Sequence, residues 1–207
     1  MRLYTVPKWL RLLYPDAIWD YPSSKNTIYL TFDDGPSEIS TLWLLELLAD
    51  YNAQATFFCV GKKAEQEPEL LDRIRSEGHL IGNHSYSHMH GLKVADEQYF
   101  EDMKKGAEIC HSKLYRPPYG KIRSSQFKYL QKEFGYQAVF WSVMSYDYDV
   151  DLSSEDRMNK IRKLVRAGSV VVFHDSEKAF PQLKNELPIL LKEWTDQGFN
   201  FKIIPIK

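Results

Sequence analysis

The sequence predicts an α/β protein, a parallel β/α architecture of about seven strands able to close into an irregular barrel of seven or eight. Three observations carry this. Short β-branched and aromatic runs alternate with helical patterns seven times along 207 residues. The run Ser169-Val170-Val171-Val172-Phe173 is near-continuously apolar, as in a strand buried on both faces. Polar residues gather at or just past the strand ends, where open sheets and barrels of this kind place their chemistry.

The elements follow in order. Residues 1–22 are punctuated by Pro7, Pro15 and Pro22 and form an extension packed on the barrel; 23–207 is the barrel domain. Within the extension a short amphipathic helix over 8–14 is expected to dock Trp9, Leu10, Leu12 and Leu13 on the domain rather than on a membrane. Strand one covers 27–33 and is stopped by Gly35-Pro36. A leucine-rich helix follows over 38–51, then a strand over 55–60 ended by Gly61. A charged helix spans 65–77 with Leu70, Leu71 and Ile74 inward. Strand three is 78–84 and a long helix is 95–113. Leu114-Tyr115-Arg116 begins a short strand cut by Pro117-Pro118. A helix over 124–134 leads to a fifth strand over 137–143. Ser153 caps a helix over 153–166, with Asp156 at its third helical position. The sixth strand is 169–173, followed by a helix over 187–197 and a last strand over 200–205.

Composition narrows the class. The chain is 43% hydrophobic and 27% charged, which suits one soluble domain with a sizeable core. Its net charge of −1 gives no sign of nucleic acid or an anionic membrane as partner. Aromatic residues are abundant; core packing explains most of them, and a surplus can line a sugar-binding cleft. Cys59 and Cys110 are expected as buried free thiols, and the absence of Cys-x-x-Cys removes a thiolate metal site. No stretch approaches the roughly 20 apolar residues of a membrane span. The first residues lack the long apolar region and cleavage site of an export signal. The expectation is a monomeric cytoplasmic protein, with action outside the cytoplasm left open.

Five short motifs carry the chemistry. Thr31-Phe32-Asp33-Asp34-Gly35-Pro36 ends strand one; read alone it is also a turn. Adjacent side chains on a strand point apart, so the two carboxylates are free to hold different roles, one on a metal and one beside it. His84 and His88, four apart after strand three, can reach one ion from a helical turn. His90 is read as loop surface. One Asp with two His makes a divalent site with an open position, as in catalytic rather than structural zinc. Arg116-Pro117-Pro118-Tyr119-Gly120 is a stiff loop from which the Tyr119 backbone N–H can face a cleft. Trp141 to Tyr148 ends strand five. His174, closing a buried run, is poised for acid or base work.

Together, Thr-Phe-Asp-Asp-Gly-Pro, His-x-x-x-His, Arg-Pro-Pro-Tyr-Gly, Trp-Ser-x-x-x-x-Asp and Phe-His-Asp resemble the motifs of the polysaccharide deacetylase family, the NodB-homology carbohydrate esterases. The match runs from about Thr27 to Asp175. The resemblance implies a distorted β/α barrel, one divalent metal ion (zinc, with cobalt or nickel as alternatives) and removal of acetyl groups from sugars. It further implies Asp34, His84 and His88 as metal ligands and Asp33 as the catalytic base oriented by Arg116. By the same resemblance the Tyr119 N–H helps hold the oxyanion, and His174 is the catalytic acid paired with Asp147.

Trp141, Tyr148 and Phe173 are the residues expected to contact substrate along with Tyr119. Met144 stands where many members have Asp, so one polar contact beside the site is missing or replaced; Tyr148 stands where Trp is usual and Phe173 where Leu is usual, which puts the size of the acetyl pocket in question. The function expected is N-deacetylation of a chitooligosaccharide- or peptidoglycan-type polymer. The alternatives are O-deacetylation of acetylated xylan-like polymers and a catalytically silent sugar-binding protein.

Overall fold

The computed structural model describes residues 3–206; Met1, Arg2 and Lys207 lie outside the described residues. Helix α1 spans Lys8–Arg11, β1 Thr27–Asp33, α2 Glu38–Asp50, β2 Ala55–Cys59, α3 Gly61–Gln66, α4 Pro68–Ser76 and β3 Leu80–Asn83. Then come α5 Asp96–Cys110, β4 Leu114–Tyr115, a 3-10 turn Pro118–Gly120, α6 Ser124–Phe134, β5 Gln137–Ala138, β6 Val143–Met144, α7 Ser154–Leu164, β7 Val170–His174, α8 Phe180–Asp196 and β8 Asn200–Phe201. The strands form one curled sheet in the order β5-β4-β3-β2-β1-β7-β6, with β8 beside the start of β1, and every strand pairing among the described residues is parallel. This is the distorted β/α barrel the sequence predicts.

Strand alternation sorts the core. On β1, Ile28, Leu30 and Phe32 face outward and pack with Val171 and Phe173 of β7 under the leucines of α2, α4 and α8. Phe32 stacks between Phe57 and Phe173, at ring centroid distances of 5.2 and 6.0 Å. Tyr29, Phe58 and Val170 face inward, joined by Ile18, Val139 and Ile204. Full burial of each large aliphatic side chain contributes about 2 kcal/mol, and these two layers hold most of them. Asp33 and His174 take the inward phase at the ends of β1 and β7 and lie directly opposite each other in the register.

The barrel does not close on itself; its seam lies between β5 and β6, which are neighbours in sequence. The expected single strand over 137–143 is two pieces on opposite edges of the sheet. Ile18 occupies the free side of β5, donating to the Ala138 carbonyl (2.9 Å) and accepting from the Phe140 N–H (2.8 Å). The chain must therefore turn away from β5 before Val143 can pair with β7. Asp20 makes an antiparallel bridge to Ser169, and the Met144 N–H donates to the Tyr4 carbonyl (2.9 Å).

Other boundaries shift for local reasons. Pro68 divides the expected 65–77 helix into α3 and α4, because it lacks the N–H that a helix interior needs. Helix α8 begins at Phe180 rather than Leu187, with Pro181 tolerated in its first turn. Helix α1 is shorter than expected and buries none of its residues; Trp9, Leu12 and Leu13 are exposed, and Val6 and Tyr14 pack on the domain instead. Cys59 and Cys110 are buried free thiols. Among the described residues no helix is long and apolar enough to cross a membrane.

Candidate active site

Strands β1, β3, β4, β6 and β7 all deliver polar side chains to one end of the barrel. There they line a cleft of about 420 Å³ that includes Asp33, Asp34, His84, His88, Trp141 and His174.

Asp33 is buried at the end of β1. One of its oxygens accepts from the Arg116 guanidinium at 2.6 Å; the other lies 4.0 Å from His84 Nε2. Arg116 is fully buried and also donates to Thr31 Oγ1 and to the Val139 and Phe140 carbonyls. Its charge lies over the Phe58 ring, 4.2 Å from the centroid. A planar guanidinium with five donors is the side chain that can satisfy all of these partners at once.

Asp34 does not point away from Asp33, as strand alternation would have it. Its backbone has left the strand at φ 75°, in the left-handed region, and this turns its carboxylate toward the two imidazoles. Asp34 Oδ1 lies 3.6 Å from His84 Nε2 and 3.1 Å from His88 Nε2. The Lys63 ammonium holds the strained peptide by donating to the Asp34 carbonyl at 2.8 Å. Behind the turn, the buried Asp175 carboxylate accepts from the Ser40 and Thr41 hydroxyls and presses on Gly35, where a Cβ would overlap it. Ser85, His88, Tyr119 and Tyr146 also have positive φ. Such concentration of sparsely populated backbone is usual where geometry is held for function.

The donor set fits a divalent cation. One atom from each of Asp34, His84 and His88 lies within 4.8 Å of the others. His84 Nδ1 lies 2.8 Å from the Arg116 carbonyl, which can only accept, so Nδ1 carries the proton and Nε2 keeps its lone pair. Burial pulls His84 down to about 4, so the ring is neutral, the form that ligates metals. Burial alone would raise Asp34, but the hydrogen bond from His88 and the nearby imidazoles hold it well below the usual carboxylate range.

Across the cleft, His174 Nδ1 lies 2.7 Å from Asp147 Oδ1, while the His174 backbone N–H donates to Asp147 Oδ2 at 2.7 Å. Ser145 donates to the same carboxylate. Burial disfavours a charged imidazole, but the charge of Asp147 and its hydrogen bond outweigh this and lift His174 to about 9. The Tyr148 ring packs edge-on against His174, at 4.7 Å between centroids.

Tyr119 stands at the mouth, 59% exposed, with His90 against its ring at 5.1 Å. Met144 lines the cleft. Phe173 does not reach the cleft: it is one residue out of phase with His174 on β7 and lies in the outward core with Phe32. The sequence reading also omitted Lys63, Tyr146, Ser176 and Lys178. Tyr146 lies within a recognised motif and Ser176 directly follows one; for the lysines no local signal exists.

A β/α barrel whose strand ends gather a divalent-cation site, a buried carboxylate and an imidazole–carboxylate pair is the framework of a metal-assisted hydrolase. A family model described as polysaccharide deacetylase matches residues 20–139. The chain belongs to the polysaccharide deacetylase family, whose members are hydrolases acting on C–N bonds. A peptidoglycan-N-acetylglucosamine deacetylase of Bacillus cereus is 34% identical over 189 residues, covering 88% of each chain. A chitooligosaccharide deacetylase of Azorhizobium caulinodans is 32% identical over 160 residues, 73% of this chain and 75% of that one. The crystal structure of the Bc1960 peptidoglycan N-acetylglucosamine deacetylase, in complex with 4-naphthalen-1-yl-N-oxidanyl-benzamide, aligns with a TM-score of 0.87 at 31% identity, over 97% of this chain and 95% of that one.

Proposed function

We propose that this chain removes N-acetyl groups from amino sugars in an oligo- or polysaccharide of peptidoglycan or chitooligosaccharide type. The observation that carries this reading is the convergence of three units on one cleft: the Asp34-His84-His88 cluster, Asp33 fixed by Arg116, and His174 paired with Asp147. Two imidazoles and one carboxylate favour zinc over harder cations. When bound, such an ion supplies Lewis-acid chemistry, polarising a carbonyl and acidifying water.

The chain's own groups do the rest. Asp33, locked by Arg116, takes a proton from the attacking water. The backbone N–H of Tyr119 helps hold the negative charge that develops on the acetyl oxygen. His174, kept cationic by Asp147, gives its proton to the departing amine, which cannot leave as an anion. The donors and acceptors are in place before substrate arrives, so little reorganisation opposes the reaction.

The test is acetate release from chitooligosaccharides and from peptidoglycan fragments by zinc-loaded protein, by chelated protein and by Asp33→Asn. The expected result is release by the loaded protein, loss on chelation with recovery on adding zinc, and a drop of roughly a hundredfold to ten-thousandfold for Asp33→Asn with zinc content unchanged. Zinc-loaded protein that bound these sugars without releasing acetate would leave a sugar-binding protein in place of the enzyme.

A further inference from the structure

The turn that presents Asp147 is held by a buried ion pair outside the cleft. Arg157 of α7 and Glu186 of α8 are 1% and 2% exposed, and neither lines the cleft. The two meet as a fork on a carboxylate. Arg157 Nε lies 2.8 Å from Glu186 Oε2, and Arg157 Nη2 lies 2.6 Å from Glu186 Oε1. The third nitrogen, Nη1, donates instead to the Asp149 carbonyl at 2.9 Å and to the Tyr146 carbonyl at 3.3 Å. Those two residues bracket Asp147 and Tyr148. The Tyr146 carbonyl also accepts from the Asp149 N–H at 3.0 Å, which closes the turn. Tyr146 opens it at φ 60°, a conformation that must be held by its surroundings.

Stability alone is a weak reason for a buried ion pair, because apolar residues of similar volume commonly serve as well or better. An apolar pair could not donate to two carbonyls. Arg157 supplies directed donors to both ends of the turn, and Glu186 fixes the plane of the guanidinium that aims them. What the turn delivers is the place of Asp147. Its carboxylate accepts from the His174 backbone N–H and lies 2.7 Å from His174 Nδ1. The Ser145 hydroxyl anchors Asp147 itself, donating to its carboxylate at 2.8 Å and accepting from its N–H at 3.3 Å. The Arg157 contacts anchor the backbone on either side.

We propose that Arg157 and Glu186 are positioning residues for the proton-donating pair: joined as an ion pair, they fix the Tyr146–Asp149 turn and so keep Asp147 against His174. The inference rests on the deacetylase reading, in which His174 protonates the departing amine. It gives α7 and α8 a part in that step from outside the cleft.

Two variants separate positioning from folding. Arg157→Met combined with Glu186→Leu removes both charges and the donors to the turn while keeping the buried volume filled. Arg157→Lys keeps a charge opposite Glu186 but loses the fork. Each is loaded with zinc and assayed on an acetamido sugar and on an aryl acetate, whose leaving group departs without a proton. In both variants kcat for the acetamido sugar is expected to fall about tenfold to a hundredfold, as a misplacement of about 1 Å can cost. Its alkaline limb should move acidward, since a displaced Asp147 no longer supports the charge on His174. Aryl acetate turnover should stay within about twofold of wild type, because that reaction does not call on the acid. Zinc affinity by calorimetry should be unchanged, because Asp34, His84 and His88 lie on other elements. The double variant should melt close to the wild type.

Equal losses on the two substrates, full acetamide turnover in either folded variant, or failure of both variants to fold overturns this proposal and leaves the pair a structural role alone. The deacetylase reading stands in each of those cases on the turnover of the wild type. A wild-type protein that releases no acetate from any acetylated sugar removes that reading and this proposal with it.

Discussion

Replacing Asp147 by Asn tests the charge state of the proton donor directly. In the wild type His174 titrates at about 9 although burial opposes its charge, and Asp147 is the leading cause of the rise. Asn keeps the shape and still accepts from the His174 backbone N–H, but it brings no charge. Burial then opposes the charge with only Asp34 and Asp33 still favouring it, and the imidazole falls toward its ordinary value of about 6.5. At pH 7.5 the protonated fraction drops from about 97% toward about 10%. The assay is the pH dependence of kcat/KM for acetate release from an acetamido sugar in zinc-saturated buffer. The alkaline limb should move acidward by more than about two pH units, and the rate at pH 7.5 should fall about tenfold or more. A bound cation pulls His174 down in both proteins, so the difference between the two profiles is the measured quantity.

Stability carries the same signature. The folded state raises the His174 pKa above its unfolded value, so the stabilisation is complete below about pH 6.5 and is lost as pH rises through about 9. The His174 side chain is only 12% exposed, and the difference between the two pH limits is on the order of 3 kcal/mol. Urea denaturation at pH 6 and pH 10 should show this pH dependence in the wild type and not in Asp147→Asn. Matching alkaline limbs in the two enzymes would refute the assignment of His174 as a proton donor charged by Asp147.

Two further outcomes bear on the cation site. His84→Ala should abolish stoichiometric zinc binding by calorimetry while lowering Tm only modestly, because the barrel core is built without the ion; unchanged zinc occupancy would remove His84 from the ligand set. Gly35→Ala should weaken zinc binding and turnover together, because a Cβ there collides with Asp175 and shifts the turn that aims Asp34; unaltered zinc affinity would show that the turn need not be held so tightly.

The sequence announced the strand ends better than the strands. Thr27–Asp33 and Ala55–Cys59 were legible because β-branched and aromatic runs met Gly or Pro at their ends. The motif residues were legible because strand ends are where such folds put polar groups. The split of 137–143 was hidden, because the apolar run carries no mark of which edge each half will pair with; Ile18, far away in sequence, decides it. Phe173 was misplaced for a related reason. A motif lists neighbours in sequence, but neighbours on a strand face opposite sides. That same rule, applied to Asp33 and Asp34, gave the wrong geometry, because a positive φ at Asp34 ends the alternation. The exposed Trp9, Leu12 and Leu13 could not be told from core residues by hydrophobicity alone.

Arg116 shows how these pieces become one site. Its side chain fixes Asp33, and through the Val139 and Phe140 carbonyls it also fixes the stretch that crosses the open seam toward Trp141. Its own carbonyl sets the tautomer of His84 and so leaves the ligating nitrogen free. One residue therefore ties together Asp33, His84 and the stretch that leads to Trp141, three features at the ends of different strands. Lysine would keep the charge but has no planar fork with which to hold Asp33 and two carbonyls in fixed directions. The carbonyl contact would survive any substitution that left the backbone in place. The coupling thus has a side-chain part, which orients the base and the seam, and a main-chain part, which orients the ligand. At the open seam the guanidinium satisfies two carbonyls that no neighbouring strand pairs and holds Asp33 with the same fork.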